Sequence, residues 1–347
     1  MKTPRTLFCA AGLALSTALV PAHADTTLYV GMNGGTLEKN YETYIFPAFE
    51  QARHVKIMVV PGTSADVLAK MQAQKARPSM QVAFLDDGVM VRAVSMGLCE
   101  RIADAPVLKD LIPEARYPDN QAVAVEFGVV GIGYNKQMFD ANRWPAPDSW
   151  AAFADPKYKG KVIFQSIASS TYGLYGLLMV NRILGGTDGN VEPAFSKWPT
   201  TVGPNVLEYI SNSAQISEMV QNNEAGLFPT TVTQIQTFKE KGLPVAFATP
   251  KEGNVKLMYS ACMLKGNTEP ALAQQLIEYL VSPAAQTAAL EHSKSLPVNR
   301  TVRIDARTEA QLGRFEDLTR HLNSVDWATV NDKRGQWNDR WNRTIEH

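Results

Sequence analysis

Asp86 and Asp87 stand out in this sequence because their position suits ligand binding. These two acidic residues directly follow the apolar segment Gln81–Leu85. Carboxylates in such positions could hold an ammonium group or a metal ion, since both need negatively charged oxygen partners. The alternative for the aspartate pair is that one of them caps the following helix, where a negative charge is favourable. The residues alone leave both interpretations open.

Hydroxyl- or glycine-rich segments precede predicted helices at three further places. These segments are Asn33, Gly34, Gly35 and Thr36; Ser166, Ser169, Ser170 and Thr171, followed by Tyr172; and Thr230 with Thr231. Free backbone N–H groups at a helix start favour an anion or another polar ligand group. The alternatives are a simple glycine turn for the first segment and ordinary helix capping for the others. Capping explains one hydroxyl of the second segment, but hardly all four.

These segments lie between short apolar strands and helical patterns that alternate along the chain. Strands are predicted at Thr27–Gly31, Lys56–Val60, Gln81–Leu85, Val162–Phe164 and Ala225–Pro229. Gly203–Ile210 is predicted to begin a helix, and Ser64 to cap the helix Ala65–Lys75. The alternation predicts an α/β fold with mainly parallel sheets, which bind ligands beyond the carboxyl ends of their strands.

Two extended stretches interrupt this alternation and are predicted to cross between two lobes. The first is Gln121–Asn135, and the second is Leu243–Pro250 followed by Lys251–Met263, so the crossings fall near 121–135 and 243–252. The chain exceeds the size at which a single core keeps growing. The predicted lobes are 25–122 with 250–300 and 123–249 with 301–347. Three tryptophans, Trp327, Trp337 and Trp341, are expected to anchor the C-terminal tail to a lobe.

The N-terminal residues predict export from the cytoplasm. Lys2 and Arg5 precede the apolar run Leu7–Val20, and Ala22-His23-Ala24 is a small-x-small cleavage site. This order is typical of a secretory signal peptide covering residues 1–24. We therefore expect a periplasmic protein. Two cysteines remain after cleavage, Cys99 and Cys262; an oxidising compartment permits a disulfide, but we expect two buried free thiols.

Composition and motifs argue against several other functions. The chain has 34 basic and 34 acidic residues, and cleavage removes Lys2 and Arg5, which leaves a net charge of about −2. Nucleic-acid binding is therefore not expected, because it needs a strong basic excess. The sequence has no GxSxG, HExxH or CxxC motif, and its histidines are scattered. We predict no catalytic residues, no bound metal and no cofactor.

Several short motifs together resemble the periplasmic solute-binding proteins of ABC importers, in the branch that binds spermidine, putrescine or iron. The motifs are the Asn33–Thr36 loop, Lys70–Lys75 followed by QVAFLDDG, Tyr134-Asn135-Lys136, Ser149-Trp150, DPKYKGKV, Pro250–Gly253, Ser282–Gln286 and LPVN. The resemblance implies a two-lobed (type II) periplasmic-binding-protein fold with the ligand in the cleft between the lobes. It also implies closure on binding and delivery to an inner-membrane permease. We expect a monomer.

The resemblance also suggests ligand classes. Polyamine binders of this branch use acidic residues and aromatic walls, for which the candidates are Asp86, Asp87, Glu126, Phe127, Tyr172 and Tyr259. Iron binders carry adjacent tyrosines, whereas Tyr259 is followed by Ser260. The hydroxyl-rich helix starts suit an anion such as an organic acid or phosphonate. A zwitterion such as an amino acid would use both the acidic residues and the helix starts. We expect a small polar amine-containing solute that can also carry an anionic group, with a polyamine favoured and an anionic ligand or ferric iron as the alternatives.

Overall fold

The computed structural model describes residues 26–211 and 213–346. The predicted signal peptide lies outside the described residues. Within them, strands and helices alternate along most of the chain. Among the described helices, none combines the length and the hydropathy that a membrane span requires.

Ten strands form one curled sheet. They are β1 (Thr26–Met32), β2 (Val55–Pro61), β3 (Val82–Asp86), β4 (Cys99–Glu100), β5 (Val123–Asn135), β6 (Val162–Gln165), β7 (Val206–Ile210), β8 (Leu227–Thr231), β9 (Val245–Ala248) and β10 (Val255–Leu264). The strand order is β2-β1-β3-β10-β5-β8-β6-β7, with β4 paired to β10 and β9 paired to β5.

The two long strands in the middle of this order, β5 and β10, join the two halves of the sheet. They pair antiparallel with each other and with their other neighbours, while β1 with β2 and β3, and β6 with β7 and β8, are parallel. The sheet is therefore mixed, and the predicted parallel character holds for the outer strands of each half. The second long strand, β10, begins within the predicted stretch Lys251–Met263, just after residues 243–252, and ends one residue beyond it at Leu264.

Fourteen α-helices surround the described part of the sheet. They are α1 (Thr36–Asn40), α2 (Phe46–Arg53), α3 (Ser64–Ala73), α4 (Asp87–Ser95), α5 (Lys136–Asn142), α6 (Thr171–Ile183), α7 (Glu192–Lys197), α8 (Ala214–Gln221), α9 (Val232–Glu240), α10 (Pro270–Leu280), α11 (Pro283–Ala288), α12 (Ala306–Leu312), α13 (Phe315–Thr319) and α14 (Trp327–Thr344). A π-helical turn, Tyr41–Ile45, connects α1 to α2.

Two sequence predictions of local structure are wrong. The segment predicted to begin a helix at Gly203–Ile210 forms strand β7, because Val206, Tyr209 and Ile210 suit a strand that pairs with β6. Ser64 is not the cap of α3. The cap is Thr63, which exchanges hydrogen bonds with Asp66 in a capping box. Ser64 is instead the first residue of the helix.

The buried apolar residues form two pairs of clusters, one pair for each half of the sheet. In the first half, Phe84 and its neighbour Leu85 on β3 belong to clusters on opposite faces. In the second half, Ile163 and Phe164 on β6 do the same. Successive residues of a strand point to opposite faces, so helices cover both sides of each half. This arrangement is the two-lobed α/β fold that the sequence predicts.

The C-terminal tail packs against both halves. Leu312 and Leu318 join the apolar cluster of the first half, whereas Trp327, Trp337 and Trp341 are buried in that of the second. The three tryptophans thus anchor the tail, as predicted. The predicted lobe limits place all of 301–347 in one lobe, and these limits stay a prediction.

Cys99 and Cys262 form a disulfide, so the expectation of two free thiols is wrong. Their Cα atoms are 5.7 Å apart, because β4 pairs antiparallel with β10. Spacing along the chain could not predict this, since 163 residues separate the two cysteines. The bond lies in a buried cluster with Leu85 and Met90.

Removing this disulfide should lower the free energy of unfolding by about 2–4 kcal/mol, because the bond closes a long loop in the unfolded chain. Equilibrium unfolding in urea would measure the loss for the C99A/C262A double variant. Wild-type protein unfolded with dithiothreitol should show the same loss, and the double variant should not respond to dithiothreitol. Equal unfolding midpoints for the wild type with and without reductant would contradict the prediction.

Candidate ligand-binding site

Strand register places Asp86, Tyr259 and Glu126 side by side on three adjacent strands. Tyr259 of β10 pairs with Asp86 of β3 on one side and with Glu126 of β5 on the other. Paired residues of antiparallel strands point to the same face, so the three side chains form one row. The register shifts between Tyr259 and Ser260, whose partners on β5 are Glu126 and Ala124, so the intervening residue Val125 forms a bulge in β5. Bulges are common next to functional sites.

This row lies at the wall of a cavity of about 670 Å³ that is lined from both halves of the sheet. A volume of this size suits a small organic ligand. Twelve of the sequence-predicted site residues line it: Asn33, Gly34, Thr36, Asp86, Glu126, Phe127, Ser169, Ser170, Thr171, Tyr172, Thr231 and Tyr259. The fold thus brings together residues from all the predicted segments.

Four predicted site residues do not line the cavity. Gly35 binds the Glu38 side chain through its N–H group, and Ser166 and Thr230 are buried in the fold. Asp87 points elsewhere: it is buried, and the Tyr175 hydroxyl donates to it at 2.8 Å. It lines a separate pocket of about 160 Å³ with Lys256 and Trp327.

Several lining residues were missed from the sequence. Ser64, Ser211, Ser213, Thr233, Gln234, Ser293, Ser295 and Arg334 all line the cavity. The Ser64 hydroxyl accepts from the Asp86 backbone N–H group at 3.1 Å and lies 3.5 Å from Asn33 Oδ1. Arg334 is the basic residue of the cavity wall among the described residues.

Glu126 is held by hydroxyl groups. Tyr41 donates to its Oε1 atom at 2.7 Å, and Ser295 is a second hydrogen-bond partner. Burial raises the pKa of Glu126, while these two hydrogen bonds lower it in part. Tyr259 is also fixed, because its hydroxyl accepts from the Asn33 backbone N–H group at 2.8 Å.

Asp86 connects the two halves of the molecule. Its Oδ2 atom accepts from the Thr171 hydroxyl at 2.7 Å, and Thr171 begins α6 in the other half. Burial raises the pKa of Asp86, whereas Thr171, Ser64 and the charge of Arg334 lower it. Asp87 is more strongly affected: burial raises its pKa to about 7 despite hydrogen bonds from Tyr175 and Trp327. The two adjacent aspartates therefore face different surroundings.

The helices that begin at the cavity differ in whether a side chain caps their first turn. Thr63 caps α3, and Thr231 caps α9 by accepting from the Gln234 N–H group at 3.1 Å. The start of α6 has no such cap: Ser170 makes no capping hydrogen bond, and its hydroxyl donates to Gln165 instead. The first-turn N–H groups of α6 therefore lack a side-chain acceptor. Uncapped N–H groups at a cavity wall can bind an anionic group.

Within residues 26–211 and 213–346, no group of three or more His, Cys, Asp or Glu side chains is placed to hold a metal ion.

Comparison with known proteins gives the class that the sequence motifs resemble, the solute-binding proteins. The family model described as "Bacterial extracellular solute-binding protein" matches residues 45–311. A proposed 2-aminoethylphosphonate-binding periplasmic protein of Salmonella typhi is 24% identical over 307 residues, which is 83% of each chain. The thiamine-binding periplasmic protein of Escherichia coli is 26% identical over 216 residues, covering 61% of this chain and 62% of its own.

A solved structure shares the fold. The periplasmic binding protein AfuA of Actinobacillus pleuropneumoniae, with fructose-6-phosphate bound, superposes with a TM-score of 0.76 at 20% identity. The match covers 92% of this chain and 98% of that one. The family match covers most of the chain and agrees with the two-lobed fold and the cavity between its halves. The chain belongs to the family of bacterial extracellular solute-binding proteins.

Proposed function

We propose that this protein is the periplasmic substrate-binding component of an ABC importer and captures a small amine-containing solute for delivery to the membrane permease. Membership in the solute-binding family supports the general role. The ligand class is argued from the row Asp86–Tyr259–Glu126, where two partly buried carboxylates face one cavity.

The proposal depends on the hydrogen-bond partners and the ionisation of these two carboxylates. The hydrogen bonds that the structure describes to Asp86 and Glu126 side chains come from hydroxyl groups, not from lysine or arginine. Taking a carboxylate out of water is costly, so burial raises both pKa values, and the charge of Arg334 offsets this rise only in part at Asp86. A ligand ammonium group in the cavity would compensate both charges. Ligand binding and carboxylate ionisation should therefore favour each other.

Two relatives agree with an amine-containing ligand. The names of the relatives in Escherichia coli and Salmonella typhi refer to thiamine and to 2-aminoethylphosphonate, and both compounds contain an amine and a positive charge. Aromatic residues also line the cavity, including Tyr172 and Tyr259, and aromatic rings attract cations. A polyamine or an aminoalkyl phosphonate would both satisfy the acidic row.

Replacing Glu126 with glutamine, or Asp86 with asparagine, should weaken binding of amine ligands by about 10- to 100-fold, because a charge-assisted hydrogen bond contributes about 1.5–3 kcal/mol. Residues 25–347 would be unfolded and refolded to remove carried ligand. Titration calorimetry would then use 2-aminoethylphosphonate, putrescine, spermidine and ferric citrate. Glu42→Gln is the matched control, since Glu42 is exposed and lies on the same helical segment as Tyr41.

The experiment has a clear negative result. If the E126Q and D86N variants bind the amine ligands as tightly as the wild type and E42Q do, the amine part of the proposal is wrong. Binding of ferric citrate in preference to every amine would favour the iron alternative instead.

A further inference from the structure

Arg334 occupies an unusual position on the C-terminal helix. Trp327, Val330, Arg334, Trp337 and Trp341 follow one another at spacings of three and four residues, which places them on one face of α14. The four apolar members of this stripe are buried in the core of the second half. A charged residue on such a stripe needs a compensating partner, because removing a charge from water is costly.

The protein supplies only weak compensation for this charge. The hydrogen bond described for the Arg334 guanidinium is a long one, 3.4 Å from Nη2 to the Ile167 carbonyl oxygen. Among the described residues Arg334 forms no ion pair, although the charge of Asp86 acts on it. Burial and the nearby Arg92 lower its pKa, and Asp86 raises it. The guanidinium remains charged, because arginine is not deprotonated in proteins.

The surroundings of Arg334 favour an anion. The carbonyl of Ile167 that it contacts belongs to the loop leading into α6, whose first-turn N–H groups have no side-chain cap. Helix α6 has 13 residues, long enough for a substantial positive end. A guanidinium and an uncapped helix start therefore share one wall of the cavity, together with Ser169 and Ser170.

We propose that Arg334 and the first turn of α6 bind an anionic group of the ligand, a phosphonate, phosphate or carboxylate. This inference rests on the proposed function and narrows the substrate class to zwitterions. Arginine is well suited to this role, since its planar guanidinium binds such anions through two parallel hydrogen bonds. A polyamine would place a second positive charge beside Arg334, which is unfavourable.

The charges in the cavity determine the orientation of the bound ligand. Arg334 contacts the loop before α6, and the Thr171 hydroxyl at the start of α6 donates to Asp86 at 2.7 Å. Glu126 lies on the other side of Tyr259 from Asp86, so Asp86 is the member of the row nearest to the start of α6. The ammonium group of the ligand sits along the row from Asp86 to Glu126, and the anionic group lies beyond Asp86, at Arg334.

The competing explanation is that Arg334 only neutralises Asp86. The two roles predict different changes in ligand preference. If Arg334 binds an anion, replacing it should weaken anionic ligands and leave a simple amine unchanged or more tightly bound, since a repelling charge is lost. If Arg334 only neutralises Asp86, its loss should change the binding of all amines alike.

Titration calorimetry with three ligands of similar shape tests this difference. They are 2-aminoethylphosphonate, propylamine, which lacks the anion, and propylphosphonate, which lacks the amine. We expect R334Q to weaken 2-aminoethylphosphonate binding by about 30- to 100-fold and R334K to weaken it less. Propylamine binding should not weaken in either variant. Arg343→Gln is the matched control, because Arg343 is exposed on the same helix.

Each failure has its own pattern. Two results would overturn the role of Arg334 while leaving the amine site intact. The first is that the wild-type protein binds propylamine as tightly as 2-aminoethylphosphonate. The second is that the R334Q variant keeps wild-type affinity for 2-aminoethylphosphonate. A third result would overturn the amine site but support the anion site. In that case the wild-type protein binds propylphosphonate as tightly as 2-aminoethylphosphonate, and the R334Q variant no longer binds propylphosphonate. If R334Q does not fold, the wild-type ranking of the three ligands and the R334K variant still decide the matter.

Discussion

Replacing Trp341 with alanine should lower the free energy of unfolding by about 3–5 kcal/mol, the usual cost of removing a buried tryptophan. The Trp341 side chain is fully buried. Its ring packs edge-on against Trp198 at 5.1 Å and against Tyr209 at 5.5 Å between ring centroids, and its Nε1 atom donates to Glu346 at 2.6 Å. An alanine would leave a large cavity that these rigid rings cannot fill.

Urea unfolding of the W341A variant measures this effect, and Asn342→Ala is the control. Asn342 is exposed on the same helix, so its replacement should change stability by less than about 0.5 kcal/mol. Trp341 lies two helical turns after Arg334, so a loosened helix end should also weaken the binding of anionic ligands. A W341A variant as stable as the wild type would show that the tail does not contribute to the core.

The acidic row illustrates how much of the site the sequence could predict. Asp86 is recognisable from the residues alone, because it directly follows the apolar segment Gln81–Leu85, whereas Glu126 and Tyr259 are candidates only through the resemblance to polyamine binders. Their proximity depends on β10 pairing with both β3 and β5. The prediction of two crossing strands made such pairing possible, but the register that aligns the three residues exists only in the folded sheet.

The sequence contains a signal for Arg334. The arginine stands at the same helical spacing as the tail tryptophans that are predicted to anchor the C-terminal tail. A charged residue on an otherwise apolar stripe indicates that the stripe faces more than the core at that turn.

Other features could not be obtained from local patterns. Strand β7 has only five residues, too few for its apolar pattern to distinguish a strand from a helix, and its strand character comes from pairing with β6. The disulfide depends on the meeting of β4 and β10 across 163 residues. Both results are set by tertiary contacts, which override weak local preferences.

The second large effect concerns Gly173, in the first turn of α6. A Cβ atom at this position would lie 2.1 Å from the Gln165 carbonyl oxygen and 3.1 Å from that of Ser166. Both obstacles are backbone atoms at the end of β6, so they cannot move aside as a flexible side chain would. Gly173→Ala should therefore push the start of α6 away from the sheet and cost about 3 kcal/mol of stability, the upper end of the usual cost of overpacking.

The same displacement should affect binding selectively, which gives the G173A variant a second readout. The first-turn N–H groups of α6 would move away from Arg334, so we expect 2-aminoethylphosphonate to bind at least about 10-fold more weakly, measured by titration calorimetry at a temperature where the variant is folded. Gly335→Ala is the control: a Cβ atom there meets nothing within 4 Å, and alanine in a helix adds up to about 1 kcal/mol of stability.

Comparison with propylamine separates a local effect from a general one. A loss of 2-aminoethylphosphonate affinity with unchanged propylamine affinity would locate the damage at the anionic end of the cavity, where α6 and Arg334 meet. An equal loss for both ligands would mean that the whole cleft has been distorted. Full affinity for 2-aminoethylphosphonate in a folded G173A protein would rule out the helix start as a binding element, because the N–H groups cannot keep their positions once a Cβ atom separates α6 from β6.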